Sequence, residues 1–138
     1  MSTTEHWHQE HDAEGHLWLG IDKADGNANV LSGPVLRELD GLLDAAEREP
    51  PKAIIVYSRK TSGFVMGADI NEFTVLKNAD EAYDLVRLGQ KVLDRLEDSK
   101  VPTVAAIDGF ALGGGLELAM ACHYRVAVES GKPSIGLP

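Results

Sequence analysis

From His16 onward, polar and apolar positions alternate one by one: Leu17, Leu19 and Ile21 fall on one side, His16, Trp18 and Gly20 on the other. A period of two predicts a strand with one buried face. Residues 22–31 (DKADGNANVL) are turn formers. The period then changes. Ser32 reads as a helix N-cap with Pro34 in the first turn, and Val35, Leu36, Leu39, Leu42, Leu43 and Ala46 recur at helical spacing until Pro50 and Pro51. The unbroken apolar run 53–57 (AIIVY) is the pattern of a strand in a sheet covered on both faces. Residues 58–68 form a loop carrying Gly63 and Gly67, and a helix is predicted to start near Asp69. Asn78 caps the next helix, with Glu81 placed as in a capping box and Ala82, Leu85, Leu88, Val92 and Leu96 along one side. A buried strand over 103–107, a glycine-rich turn over 108–115, a short helix over 115–122 and a strand over 124–128 complete the pattern. Strands alternating with helices predict an α/β domain of repeated β-β-α units over 16–138, behind a polar lead-in over 1–15 that pairs at most as an edge strand near residues 5–10.

Composition narrows the class. With 138 residues, 43% hydrophobic and 25% charged, the chain makes one globular domain at most. Thirteen basic against twenty-two acidic residues give a net charge of −9, so a nucleic-acid partner is not expected, because that needs a basic patch. The single cysteine, Cys122, excludes an internal disulfide and a Cys-rich zinc site. No apolar run approaches the roughly 18 residues of a membrane span, and residues 1–15 lack the apolar core of a secretory signal. A cytoplasmic location is expected. His6, His8 and His11 read as scattered histidines of a solvated start, since no arrangement of ligands completes a metal site around them.

Two segments carry chemistry. The first is Gly113-Gly114-Gly115-Leu116-Glu117, entering a helix directly after an apolar strand. A helix N-terminus leaves free N–H groups that stabilise an anion or developing oxyanion, and glycine lets a ligand approach the backbone. Neither a P-loop nor a dinucleotide fingerprint is present. Gly114 and Glu117 are three apart, hence on one helical face about 5–6 Å from each other. Leu116, Leu118, Ala119 and Met120 surround Glu117 in sequence; desolvation by such neighbours would favour the protonated form, as general acid/base work requires. The plain alternative is an exposed acid in a first helical turn. The second segment is Gly67-Ala68-Asp69-Ile70, which reads either as an Asp N-cap or as the source of a second N–H, at Ala68, converging with Gly114 on one oxygen. Cys122-His123 is not read as nucleophile and base, because neighbours in sequence do not face each other on a helix.

Together, Gly67-Ala68-Asp69-Ile70 and the run from Asp108-Gly109-Phe110-Ala111-Leu112 through Gly113-Gly114-Gly115-Leu116-Glu117-Leu118-Ala119 resemble the crotonase superfamily of enoyl-CoA hydratases and isomerases. The likeness runs from about residue 16 to 138 and is strongest to the N-terminal part of multifunctional fatty-acid oxidation α-subunits. It implies a spiral of β-β-α repeats, with the chain ending before the C-terminal helical region used for packing. It implies that the Ala68 and Gly114 N–H groups form an oxyanion hole for an acyl-CoA thioester. Ala28, Gly67, Ala68, Ile70, Gly113 and Gly114 would flank that substrate, and Glu117 would be one of two catalytic glutamates. The second belongs to the pattern Leu-Gly-x-Pro-Glu, of which Gly136-Leu137-Pro138 is the visible part.

The implied reaction is hydration of trans-2-enoyl-CoA to 3-hydroxyacyl-CoA in fatty-acid β-oxidation, with no metal and no redox cofactor. Coenzyme A enters only as part of the substrate. The alternatives are Δ3,Δ2-enoyl-CoA isomerisation and, for the chain as given, a non-catalytic CoA-binding fragment prone to aggregation or dependent on a partner. The same likeness implies a homo-oligomer or a complex with a thiolase β-subunit.

Overall fold

In the computed structural model, which describes residues 2–129 and 134–138, the elements begin β1 (Ser2–Thr3), β2 (Trp7–His11), β3 (His16–Ile21), α1 (Gly33–Arg48) and β4 (Ala53–Ser58). They continue α2 (Ile70–Phe73), α3 (Ala79–Glu97), β5 (Thr103–Ile107), β6 (Ala111–Leu112), α4 (Gly114–Ala121), β7 (Tyr124–Ala127) and β8 (Ile135–Gly136). Six strands make one mixed sheet in the order β1-β2-β3-β4-β5-β7, antiparallel as far as β3 and parallel beyond it. The alternation in β3 does what a period of two requires: Leu17, Leu19 and Ile21 are buried. They meet Ile54 and Val56 of β4, Ala105 and Ile107 of β5, and the buried stripe Val35, Leu36, Leu39, Leu42, Leu43 and Ala46 of α1. The Ser32 hydroxyl caps α1 by accepting from the Val35 N–H at 3.3 Å. Arg95 of α3 ties the two helices, reaching Asp40, Asp44 and Glu47 on successive turns of α1 at 2.6, 2.9 and 3.0 Å. No helix among the described residues is long and apolar enough to cross a membrane.

Three expectations change. The strand expected near residues 5–10 is β2, but β1 flanks it, so it is not the sheet's edge, and Trp7 is a core residue, 1% exposed, with its indole N–H donating to the Val35 carbonyl at 2.9 Å. One inward tryptophan among polar letters makes no periodicity to read. His6 and His8 are buried, not solvated. His6 Nδ1 accepts from the Ala24 N–H at 3.1 Å, which leaves Nε2 to carry the ring proton toward the Glu38 and Glu5 carboxylates at 3.7 and 3.8 Å. Glu5, His6 and Glu38 therefore cluster as donor and acceptors; a metal-bound histidine shows the reverse, donating from its second nitrogen. Finally, β4 is covered on one face among the described residues. Ile55 and Tyr57 are half-buried on the other, where Trp18 meets Tyr57 edge-on with centroids 5.9 Å apart. An apolar run signals β-branched packing but not how many layers cover it.

The loop after β3 is held by Asn29, 1% exposed. Its amide nitrogen reaches the Ile21 and Phe64 carbonyls at 3.3 and 3.0 Å and the Ser58 hydroxyl at 2.9 Å. Its oxygen accepts from the Lys23 N–H at 2.9 Å. Asn29→Leu keeps the branched shape but strands these groups, so unfolding in urea should show a loss of roughly 2–4 kcal/mol.

Candidate functional site

Parallel neighbours deliver their C-terminal loops to the same edge of a sheet. β3, β4 and β5 are such neighbours, so residues 22–32, 59–69 and 108–113, far apart in sequence, emerge side by side. There the backbones pair directly. The Phe64 and Val65 N–H groups donate to the Phe110 carbonyl at 2.9 and 3.0 Å, and the Leu112 N–H returns to the Val65 carbonyl at 3.0 Å. On the other flank the Leu31 N–H donates to the Gly67 carbonyl at 2.8 Å, and the Asp69 N–H to the Leu31 carbonyl at 3.1 Å.

Two glycines make this approach sterically allowed. A Cβ on Gly115 would lie 2.1 Å from the Val65 carbonyl oxygen. One on Gly109, whose φ is +83°, would lie 2.9 Å from Gly63 Cα. Part of the glycine richness thus serves loop-to-loop packing, where the sequence suggested ligand approach. Gly113, with φ +51°, turns the chain into α4, and its N–H donates to the Gly136 carbonyl at 2.9 Å, laying β8 beside β6. These two-residue strands escape the sequence because they are too short to show a period.

The result is a pair of neighbouring amides. The Cβ position of Gly114 lies 3.5 Å from the Ala68 nitrogen. Among the described residues neither the Ala68 nor the Gly114 N–H donates to another group. Both residues line a cleft of about 220 Å³ together with Glu117. Glu117 is exposed in the first turn of α4, not desolvated as its neighbours in sequence suggest. Each helical residue turns about 100° from the last, so Leu118 and Ala119 go into the core while Glu117 faces the cleft.

Leu31, Leu36, Phe73, Leu85 and Leu93 supply apolar walls, and Glu72 a second carboxylate. None of these six was a site candidate in the sequence, where Leu36 and Leu85 read as core-facing helix positions. Leu85 belongs to the half of α3 that packs loosely, its buried residues being Val92 and Leu96. The other candidates do not line the cleft: Gly67 is buried, Gly113 and Ala28 are half-buried, and Ile70 is 76% exposed. A larger hollow of about 380 Å³ around Arg95 holds none of the candidate residues. His123 uses both ring nitrogens on backbone groups, accepting from the Thr103 N–H at 3.2 Å and meeting the Glu97 carbonyl at 2.8 Å. It is a structural residue beside a buried Cys122.

A family profile described as enoyl-CoA hydratase/isomerase matches residues 23–138. The chain is 41% identical over 126 residues to the fatty acid oxidation complex subunit alpha of Idiomarina loihiensis, a match covering 91% of this chain and 18% of that protein. It is 46% identical over 111 residues to the probable enoyl-CoA hydratase of Bacillus subtilis, covering 80% of this chain and 42% of the other. Among solved structures, an enoyl-CoA hydratase from Bacillus anthracis superposes with a TM-score of 0.86 at 29% identity, over 96% of this chain and 50% of that one. The chain therefore spans under a fifth of the α-subunit's length and half of the solved hydratase.

Gly115→Ala should lower stability by several kcal/mol in denaturant unfolding, because the clash is with backbone. Gly41→Ala, whose Cβ meets nothing within 4 Å on exposed α1, should instead add about 0.5–1 kcal/mol. Burial pushes the Cys122 thiol up from 9.0 to about 11, against opposing contributions from Thr103 and Arg125. A raised thiol pKa stabilises the fold fully below pH 9 and is lost as pH climbs toward 11. Over that interval the protein should lose roughly 2 kcal/mol more than Cys122→Ala, measured by urea titration at each pH.

Proposed function

The chain belongs to the enoyl-CoA hydratase/isomerase family and has its crotonase-like α/β fold, and from that premise we propose that the protein carrying it hydrates a trans-2-enoyl-CoA to the 3-hydroxyacyl-CoA. The observation that supports this most is the pair of unpartnered N–H groups, Ala68 and Gly114, beside Glu117 on one cleft. As water adds to C3 of a conjugated thioester, electrons move through C2 to the carbonyl oxygen. Two N–H groups held by the backbone on one cleft would stabilise that enolate without reorganising, each contributing about 3 kcal/mol by analogy with other oxyanion holes. Glu117, on the same cleft as the two N–H groups, takes the proton from the attacking water. Collapse of the enolate takes a proton at C2 from a second carboxyl group, which the family pattern puts directly after Gly136-Leu137-Pro138. That segment runs beside the glycine turn through the Gly113–Gly136 hydrogen bond.

The chemistry is redox-neutral and asks for no electron carrier. Leu31, Leu36 and Leu93 would shelter the acyl chain. The name of the α-subunit relatives, part of a fatty acid oxidation complex, supports a partnered enzyme, with a thiolase-type β-subunit as the expected companion, working in the cytoplasm.

In the full-length protein, Glu117→Gln should lower kcat by roughly 10²–10⁴, followed at the enone thioester absorption band. Hydration at the wild-type rate would remove Glu117 from the mechanism. Gly114→Pro deletes one donor at a first helical position that tolerates proline. It should abolish turnover with the circular dichroism spectrum and CoA affinity intact. Chromatography of the product separates a 3-hydroxyacyl thioester from a shifted double bond, the isomerase outcome.

A further inference from the structure

α2 follows Ala68 by two residues, yet none of its four residues is buried. Apolar packing therefore does not hold this turn, or the amide just before it, in place. Its N-cap contact is local: the Asp69 carboxylate accepts from the Asn71 N–H. The long-range tie comes from Glu72, both of whose carboxylate oxygens lie on the Gly33 N–H, at 2.8 and 3.0 Å. Gly33 is the first residue of the 16-residue α1, where free N–H groups and the positive end of the dipole favour a carboxylate.

The backbone of Leu31, two residues earlier, takes the immediate neighbours of Ala68 on both sides, donating to the Gly67 carbonyl and accepting from the Asp69 N–H. Residues 31–33 thus grip the chain on both flanks of Ala68. Glu72 is half-buried and lines the cleft that Ala68, Gly114 and Glu117 share.

We propose that Glu72 is a positioning residue for the thioester oxygen. By anchoring α2 to the N-terminus of α1 it holds the Ala68 N–H at the angle from which it meets the developing enolate, and its own oxygens, both turned to Gly33, transfer no proton. This rests on the assignment of Ala68 and Gly114 as the oxyanion donors. A donor displaced by a fraction of an ångström still lets the rest of an acyl-CoA bind, so the loss falls on kcat and not on KM.

The test uses the full-length protein and a dimethylaminocinnamoyl thioester of coenzyme A, whose absorption moves to the red when its carbonyl oxygen accepts strong hydrogen bonds. Wild type should show the red shift. Glu72→Ala should lose most of it, with kcat for the enoyl substrate falling about 10–100-fold and KM changing less than about threefold. Glu72→Gln, which keeps an acceptor for Gly33, should restore both. Gly33→Pro removes the donor from the opposite side at the first helical residue, where no intrahelical bond is lost; the end of the Arg37 side chain, 2.8 Å from the added Cβ, has to swing aside. This variant should reproduce Glu72→Ala and so carries the test by itself if Glu72→Ala does not fold, and the double variant should be no worse than either single one. A full red shift in folded Glu72→Ala, or its loss there with retention in Gly33→Pro, overturns the proposal. A bound probe with no shift in wild type instead overturns the oxyanion assignment, and this proposal with it.

Discussion

Where Gly115 meets the carbonyl of Val65 there is no room for a Cβ, and the arrangement of the cleft follows from that contact. It brings the start of α4 against the loop after β4, so that Gly114 comes beside Ala68. The hydrogen bonds of Phe64, Val65 and Leu112 across the two loops complete a small parallel pairing, with Val65 opposite Ala111. Two amides with no hydrogen-bond partner among the described residues need a firm backbone to stay close together. Here they are carried by backbone already engaged elsewhere, which is what preorganisation means in structural terms.

Polar side chains do the rest of the holding. Asn29 joins the ends of β3 and β4 to the loop that leads to Ala68, and Glu72 joins the far side of that loop to α1. Among the described residues no buried side-chain nitrogen or oxygen lacks a partner. That matters because an orphaned group near the sheet edge would cost as much as several apolar contacts supply. Trp7 pins β2 to the first turn of α1, and Arg95 pins α3 to its later turns, so both elements are tied to the same helix.

The cleft owes its apolar walls to a helix that is only half packed. Val92 and Leu96 anchor the C-terminal part of α3 in the core, whereas Leu85 and Val86 at its N-terminal part face the cleft with Phe73. An acyl chain, as the proposed substrate carries, would find hydrophobic surface there beside two N–H donors and an exposed carboxylate. That combination of apolar walls with a few placed polar groups suits a fatty thioester better than a polar metabolite.

By its local patterns the sequence was enough to read β3, α1, β4, α3, β5, α4 and β7, with the caps at Ser32, Asn78 and Asp69. It also marked Ala68, Gly114 and Glu117, because glycine-rich entries into helices and an acid one turn on are local patterns. It could not show that Trp7 belongs to the core, that β6 pairs with β8, or that Glu72 reaches Gly33 across 39 residues. Nor could it show that Glu117 is exposed while Leu118 and Ala119, next to it in the chain, are buried. Local pattern encodes which face of an element is apolar. The partner that a face or a carboxylate finds depends on how the parallel strands order their loops, and only the tertiary structure decides that.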